Sequence, residues 1–176
     1  MKLTLCIAAI LIISVATGAA QTVKKESVPG ITNYAHVETT VACAGAISPA
    51  SVAEIKKMGY SAIINLRLPT EQGADIDAEA AAAKTAGINF VHLPFNGASP
   101  EASVVDQFLK VIVQRGNEPA FIHCAGGNRA AAMWFIKRAV VDKWDNERAM
   151  TEATQLGFTS EPLKKFALDY IKAHQK

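Results

Sequence analysis

The stretch Pro119-Ala120-Phe121-Ile122-His123-Cys124-Ala125-Gly126-Gly127-Asn128-Arg129-Ala130 decides how this chain folds. Pro119 to His123 is short and apolar and reads as a central strand. Arg129 to Val141 reads as a helix, so strand, glycine-rich turn and helix follow one another without a gap. Ligand sites in open parallel sheets form at that strand edge. Gly126 and Gly127 permit a tight curl whose amides turn inward as a nest for an anion. The anion-binding loop is therefore read as Ala125, Gly126, Gly127, Asn128 and Arg129. Arg129 offers a planar fork to two anion oxygens. Cys124 then lies beneath the anion as a nucleophile, with nearby amides and the positive helix end favouring its thiolate. Each residue alone has a plainer use: a small buried hydrophobe, a turn, a surface charge. Their order and setting carry the reading.

Working outward, strands and helices alternate. Ser48-Pro49 opens a helix to about Met58, and Ser61 to Leu66 is a buried strand. Ile76 to Ala86 is an alanine-rich helix stopped by Gly87, and Ile88 to Leu93 is a strand ended by Pro94. Val104, Val105, Phe108, Leu109 and Ile112 mark the apolar stripe of another helix. Two further helices are expected over about 146–156 and from after Ser160 to about Ala173. Residues 34–42 hold a short strand, and 21–33 read as a polar lead-in. Short links between alternating elements predict an α/β fold, a mostly parallel central sheet flanked by helices in three layers.

Lys2, the apolar run Leu3 to Ala16 and the small residues Thr17-Gly18-Ala19-Ala20 read as a cleaved secretory signal over 1–20. The expected location is periplasmic or secreted, with no stable membrane insertion after cleavage. Residues 34–176 then form one domain. Cys6 leaves with the signal, so Cys43 and Cys124 remain. Cys43 reads as core packing or as a thiol that resolves an oxidised Cys124. The chain has 176 residues, 50% hydrophobic and 19% charged, with a net charge of +2. That balance excludes global disorder and gives no electrostatic case for nucleic acid. His36, His92 and His174 show no metal spacing, and no cofactor is expected.

The chain resembles the bacterial tyrosine-phosphatase-like family related to the N-terminal domain of beta-lactamase-hydrolase-like proteins, some members of which carry a sulfurtransferase label. The resemblance covers roughly residues 34–145. It rests on Gly45 with Ile47-Ser48-Pro49, Ile64-Asn65-Leu66-Arg67, Glu71, Val91-His92-Leu93-Pro94 and, above all, the His-Cys-x-x-Gly-Asn-Arg run at 123–129. It implies a cysteine-phosphatase-like fold with Cys124 as nucleophile and Arg129 as anion clamp. Conventional cysteine phosphatases place five residues between cysteine and arginine, and a Ser or Thr follows. Here four intervene, and Ala130 follows. The shorter loop also resembles that of some rhodanese-type sulfurtransferases.

Three functions follow. The first is hydrolysis of phosphomonoesters, phosphotyrosine included, through a phosphocysteine, with a phosphorylated small molecule or phosphoprotein as partner. The second is sulfur transfer through a Cys124 persulfide, with a sulfur donor as partner. The third is binding of an oxyanion or a protein without turnover. A phosphatase needs a proton donor for the leaving oxygen. The loop after Pro94 is a natural place for it but reads Phe95-Asn96-Gly97-Ala98-Ser99-Pro100. Glu101 and Asp75 are the candidates, with Glu71 and Asp77 near the same rim. His123 orients the loop or supports the thiolate, or is a satisfied core histidine. Arg67 reads as a loop anchor or an anion contact, and Tyr34 and Phe95 as rim, surface or core residues.

Overall fold

Two apolar clusters, one on each face of a single sheet, organise the chain. The structure is a computed structural model describing residues 22–38 and 40–175. The signal, its cleavage point and Cys6 lie outside the described residues. Six strands are present: β1 (Val23–Val28), β2 (Ile31–Val37), β3 (Val41–Ala44), β4 (Ala62–Asn65), β5 (Asn89–His92) and β6 (Ala120–His123). Their order across the sheet is β1-β2-β3-β6-β4-β5. The pairs β3/β6, β6/β4 and β4/β5 are parallel, whereas β1/β2 and β2/β3 are antiparallel. The predicted central strand is therefore central, flanked by β3 and β4.

The helices are α1 (Val52–Lys57), α2 (Ile76–Ala86), α3 (Ala102–Ile112), α4 (Asn128–Val140), α5 (Asn146–Gln155) and α6 (Glu161–His174). Side chains alternate faces along β6. Phe121 joins Val52, Ile55, Ile63 and Ala83 in the cluster beneath α1 and α2. Ile122 and Cys124 join Cys43, Ile64, Phe108, Trp134 and Phe135 in the cluster beneath α3 to α6. The result is three layers, α1–α2, sheet and α3–α6. α4 is buried from Ala130 through Ala139, because α5 and α6 cover the side turned away from the strands. Among the described residues no helix is long and apolar enough to cross a membrane.

Local chemistry explains the boundaries. Asp75 caps α2 by accepting from Ala78 N at 3.0 Å, and Gly87 ends it in the left-handed region at φ 64°. Ser48-Pro49 opens a 3-10 turn over Pro49–Ser51 before α1, which shortens the predicted helix. The main correction concerns residues 21–33. This lead-in holds β1 and the start of β2, joined through Pro29-Gly30 with Gly30 at φ 78°. β1 is exposed on both faces and so carries no hydrophobic alternation. Tyr34 and Phe95 belong to the core, and Tyr34 shares a hydrogen bond with Tyr60 at 2.9 Å.

Candidate active site

The loop leaving β6 is strapped to the end of β3. Cys124 N donates to Ala44 O at 3.2 Å, and Ala46 N donates to Ala125 O at 2.9 Å. Asn33 Nδ2 on β2 donates to Gly126 O at 3.1 Å. The carbonyls of Ala125 and Gly126 are thus turned outward. In a planar trans peptide the following N–H points the opposite way, so the amides of Gly126 and Gly127 turn away from Ala46 and Asn33. Gly127 N donates to Cys124 Sγ at 3.1 Å. Gly127 itself adopts φ 102°, which L side chains rarely take. Gly45 must be small too, since a Cβ there would come 2.8 Å from Ala125 O. Cys124 sits at the floor of this curl, 1% exposed.

Arg129 occupies the first turn of α4. Its Nη1 donates to Glu71 Oε1 at 2.6 Å, Phe95 O at 2.9 Å and Leu66 O at 3.1 Å. Its Nη2 donates to Glu71 Oε2 at 2.8 Å. Glu71 therefore grips the end-on edge of the guanidinium in a bidentate pair. The side-on edge, formed by Nε–H and the second Nη2–H, takes no carboxylate or carbonyl among the described residues. Gly97 lies along the aliphatic stem, where an added Cβ would be 3.4 Å from Arg129 Cγ and Cδ. Burial works against the charged guanidinium, but the Glu71 hydrogen bonds and the Cys124 charge hold Arg129 above its ordinary range. Burial alone would raise the Glu71 carboxyl. Hydrogen bonds from Arg129 and Leu68 N bring it down to about 2.

Arg67 anchors the loop that carries Glu71. Its Nη1 and Nη2 donate to Gly73 O at 2.8 Å and Gln72 O at 2.6 Å, and Leu68 N donates to Glu71 Oε1 at 2.9 Å. Asn128 holds the loop through its side chain. Its Oδ1 accepts from Thr159 N at 2.7 Å and Ser160 N at 2.8 Å, tying the loop to the start of α6.

The other predicted residues lie elsewhere. His123 is fully buried with its ring on the face opposite the Cys124 sulfur, beside Phe121. Its Nε2 is 3.2 Å from Glu79 Oε2, an ion contact too poorly aligned to count as a hydrogen bond. Glu79 also accepts from Asn65 Nδ2 at 2.6 Å. Asp75 is engaged as the α2 cap. Glu101 occupies the N-cap position of α3, exposed and without a capping bond. Neither carboxylate has a hydrogen bond or ion pair to Cys124 or Arg129 among the described residues. Cys43 is fully buried on β3 opposite Ile122. Burial, then the charge of Cys124, pushes its thiol well above the usual range. Sequence reasoning placed Glu71 near the rim without foreseeing its pairing. A carboxylate four residues beyond a strand-end arginine was the available signal.

The family described as Beta-lactamase hydrolase-like protein, phosphatase-like domain, matches residues 33–141. A DUF442 protein from Shewanella putrefaciens CN-32 superposes with a TM-score of 0.69 at 18% identity, over 84% of this chain and 96% of its own. TpbA from P. aeruginosa gives 0.61 at 22% identity, over 85% and 89%. The core catalytic domain of the PP-IP phosphatase SIW14 from S. cerevisiae gives 0.64 at 18% identity, over 84% and 93%. No curated protein sequence matches. The architecture is that of the cysteine-phosphatase-like fold.

Proposed function

The chain belongs to the phosphatase-like domain family of beta-lactamase hydrolase-like proteins, and on that footing we propose that it is an exported, cysteine-dependent phosphatase of phosphomonoesters. The reading rests on one juxtaposition. The Cys124 sulfur lies under an inward amide of its own loop, 3.1 Å from Gly127 N, beside a guanidinium whose opposite edge is locked by Glu71. A phosphoryl group seated on the inward amides and the side-on edge of Arg129 faces that sulfur. Cys124 attacks phosphorus, the S–P bond forms, and the P–O bond to the leaving group breaks. Water then attacks phosphorus and releases phosphate and the thiolate. The amides and Arg129 hold the charge on the phosphoryl oxygens through both steps, without reorganising. Export rests on the reading of residues 1–20 as a signal. A phosphorylated small molecule or phosphoprotein outside the cytoplasm is the proposed substrate.

Intact-mass trapping on reduced protein tests the chemistry. Incubation with an aryl phosphate should add one phosphoryl group, and Cys124→Ser should abolish both adduct and phosphate release. Sulfur added instead from thiosulfate would move the assignment to persulfide chemistry. Saturable oxyanion binding with neither adduct would leave a binding module.

A further inference from the structure

A leaving oxygen departs opposite the attacking sulfur, toward the loops that ring the mouth, and among the described residues no carboxylate there is hydrogen-bonded or ion-paired to Cys124, and Glu71 alone is paired to Arg129. Three stand on the loops leaving the parallel strands, and Asp77 follows, exposed, in the first turn of α2. Glu71 is held ionised by Arg129, with its carboxyl down to about 2. Asp75 caps α2. Glu101 stands at the far end of the 94–100 loop, at the start of α3. Two more sit on flanking elements, Glu26 against His36 at 3.2 Å and Glu161 against Lys164 at 3.6 Å. The segment lying on Arg129 itself contains no acid. Phe95 O accepts from Arg129 Nη1, and Gly97 packs on the Arg129 stem. The residue between them is Asn96, exposed, with Oδ1 accepting from Ala98 N at 3.0 Å. Its amide can donate a hydrogen bond to a departing oxygen but has no proton to give up.

We infer that this site, if it performs the phosphoryl chemistry proposed above, takes phosphoryl donors whose leaving group is stable as an anion: a phosphoanhydride or an acyl phosphate. An activated aryl ester serves as a surrogate. In the first step the electron pair of the broken P–O bond stays on the leaving oxygen and no proton moves. In the second, water adds to phosphorus, the S–P bond breaks toward sulfur, and the displaced proton goes to solvent. Phosphotyrosine, whose phenol has a pKa of about 10, and alkyl esters are poor substrates on this account.

The test is the leaving-group dependence of kcat/KM on reduced protein, across 2,4-dinitrophenyl, 4-nitrophenyl and phenyl phosphate, with acetyl phosphate alongside. The expected fall from 4-nitrophenyl to phenyl is at least ~100-fold, the scale of a missing general acid. Acetyl phosphate should be turned over at least as well as 4-nitrophenyl phosphate. Asp77→Asn, Glu101→Gln and Glu161→Gln should leave the whole series unchanged. Asn96→Asp should raise phenyl phosphate turnover by at least ~10-fold and leave the dinitrophenyl ester nearly untouched. Intact mass must show Asn96 unconverted, because an asparagine before glycine can deamidate to the same aspartate. A flat series in the unaltered protein overturns the inference, as does a loss confined to poor leaving groups in Asp77→Asn, Glu101→Gln or Glu161→Gln. Absence of turnover and of any Cys124 phosphoryl adduct with even the dinitrophenyl ester sinks the phosphatase reading instead.

Discussion

Two arginines on α4, Arg138 buried and Arg129 half-buried, are held in different ways. Arg138 is closed on every side described. Its Nε and Nη2 donate to Glu152 at 2.8 and 3.3 Å, and Nη1 donates to Asp142 at 3.0 Å. The rings of Trp134 and Trp144 lie 4.6 and 4.1 Å from its guanidinium carbon. Arg129, in the first turn of the same helix, is held by Glu71 on its end-on edge and by the Leu66 and Phe95 carbonyls at Nη1, while its side-on edge takes no carboxylate or carbonyl among the described residues. A carboxylate partner is common to both. On the proposed reading, what separates a structural bolt from an anion clamp is a donor edge left free of carboxylates and carbonyls.

Breaking each arginine should separate the roles. Arg129→Ala should cut phosphate release by ~100- to 1,000-fold, the effect of losing one preorganised oxyanion donor, while the protein still melts cooperatively. Arg138→Ala should do the reverse, costing ~3–5 kcal/mol of stability by stranding buried Glu152, with kcat of the remaining folded protein little changed. Equal losses in both readouts for both variants would erase the distinction.

A subtler break is Glu71→Gln, which leaves Arg129 in place but removes its orienting charge. Turnover should fall by ~10-fold or more, since a misaimed donor is worth little. The pH dependence has a definite sign. The folded Glu71 carboxyl lies at about 2 against an ordinary 4.5. Its stabilisation is therefore complete above about 4.5 and is lost as pH falls through about 2. The Tm gap between the unaltered protein and Glu71→Gln should be constant near neutrality and close toward pH 2. A gap that persists there would mean the loss is one of packing rather than of charge.

The smallest effect sharpens the backbone side of the clamp. Gly127→Ala forces a side chain into φ 102° and should cost about 1–2 kcal/mol. The expected result is a lower Tm with a comparable loss of rate, because the same peptide aims its N–H at Cys124.

The sequence made the strand–loop–helix at 119–141 and both ends of α2 legible, because buried periodicity and capping residues act locally. The hairpin in 21–33 was not legible, since both faces of β1 meet solvent and no pattern distinguishes it from a polar tail. The pairings of Arg129 with Glu71 and of His123 with Glu79 were equally hidden. They join residues far apart in the chain, and only the sheet order β6-β4 brings their elements together. Phe95 illustrates the remaining gap. It flanks a polar loop yet points into the core, and a lone aromatic in a loop has no period to reveal that.

The central claim is that the inward amides and the side-on edge of Arg129 form one anion cradle over Cys124. A crystal structure of reduced protein with tungstate tests it most directly. The account predicts the anion above the Cys124 sulfur, two oxygens on Nε and Nη2 of Arg129, others on the Gly126 and Gly127 amides, and the Glu71 pair intact. An anion seated elsewhere, or one that reaches Arg129 only by displacing Glu71, would contradict it.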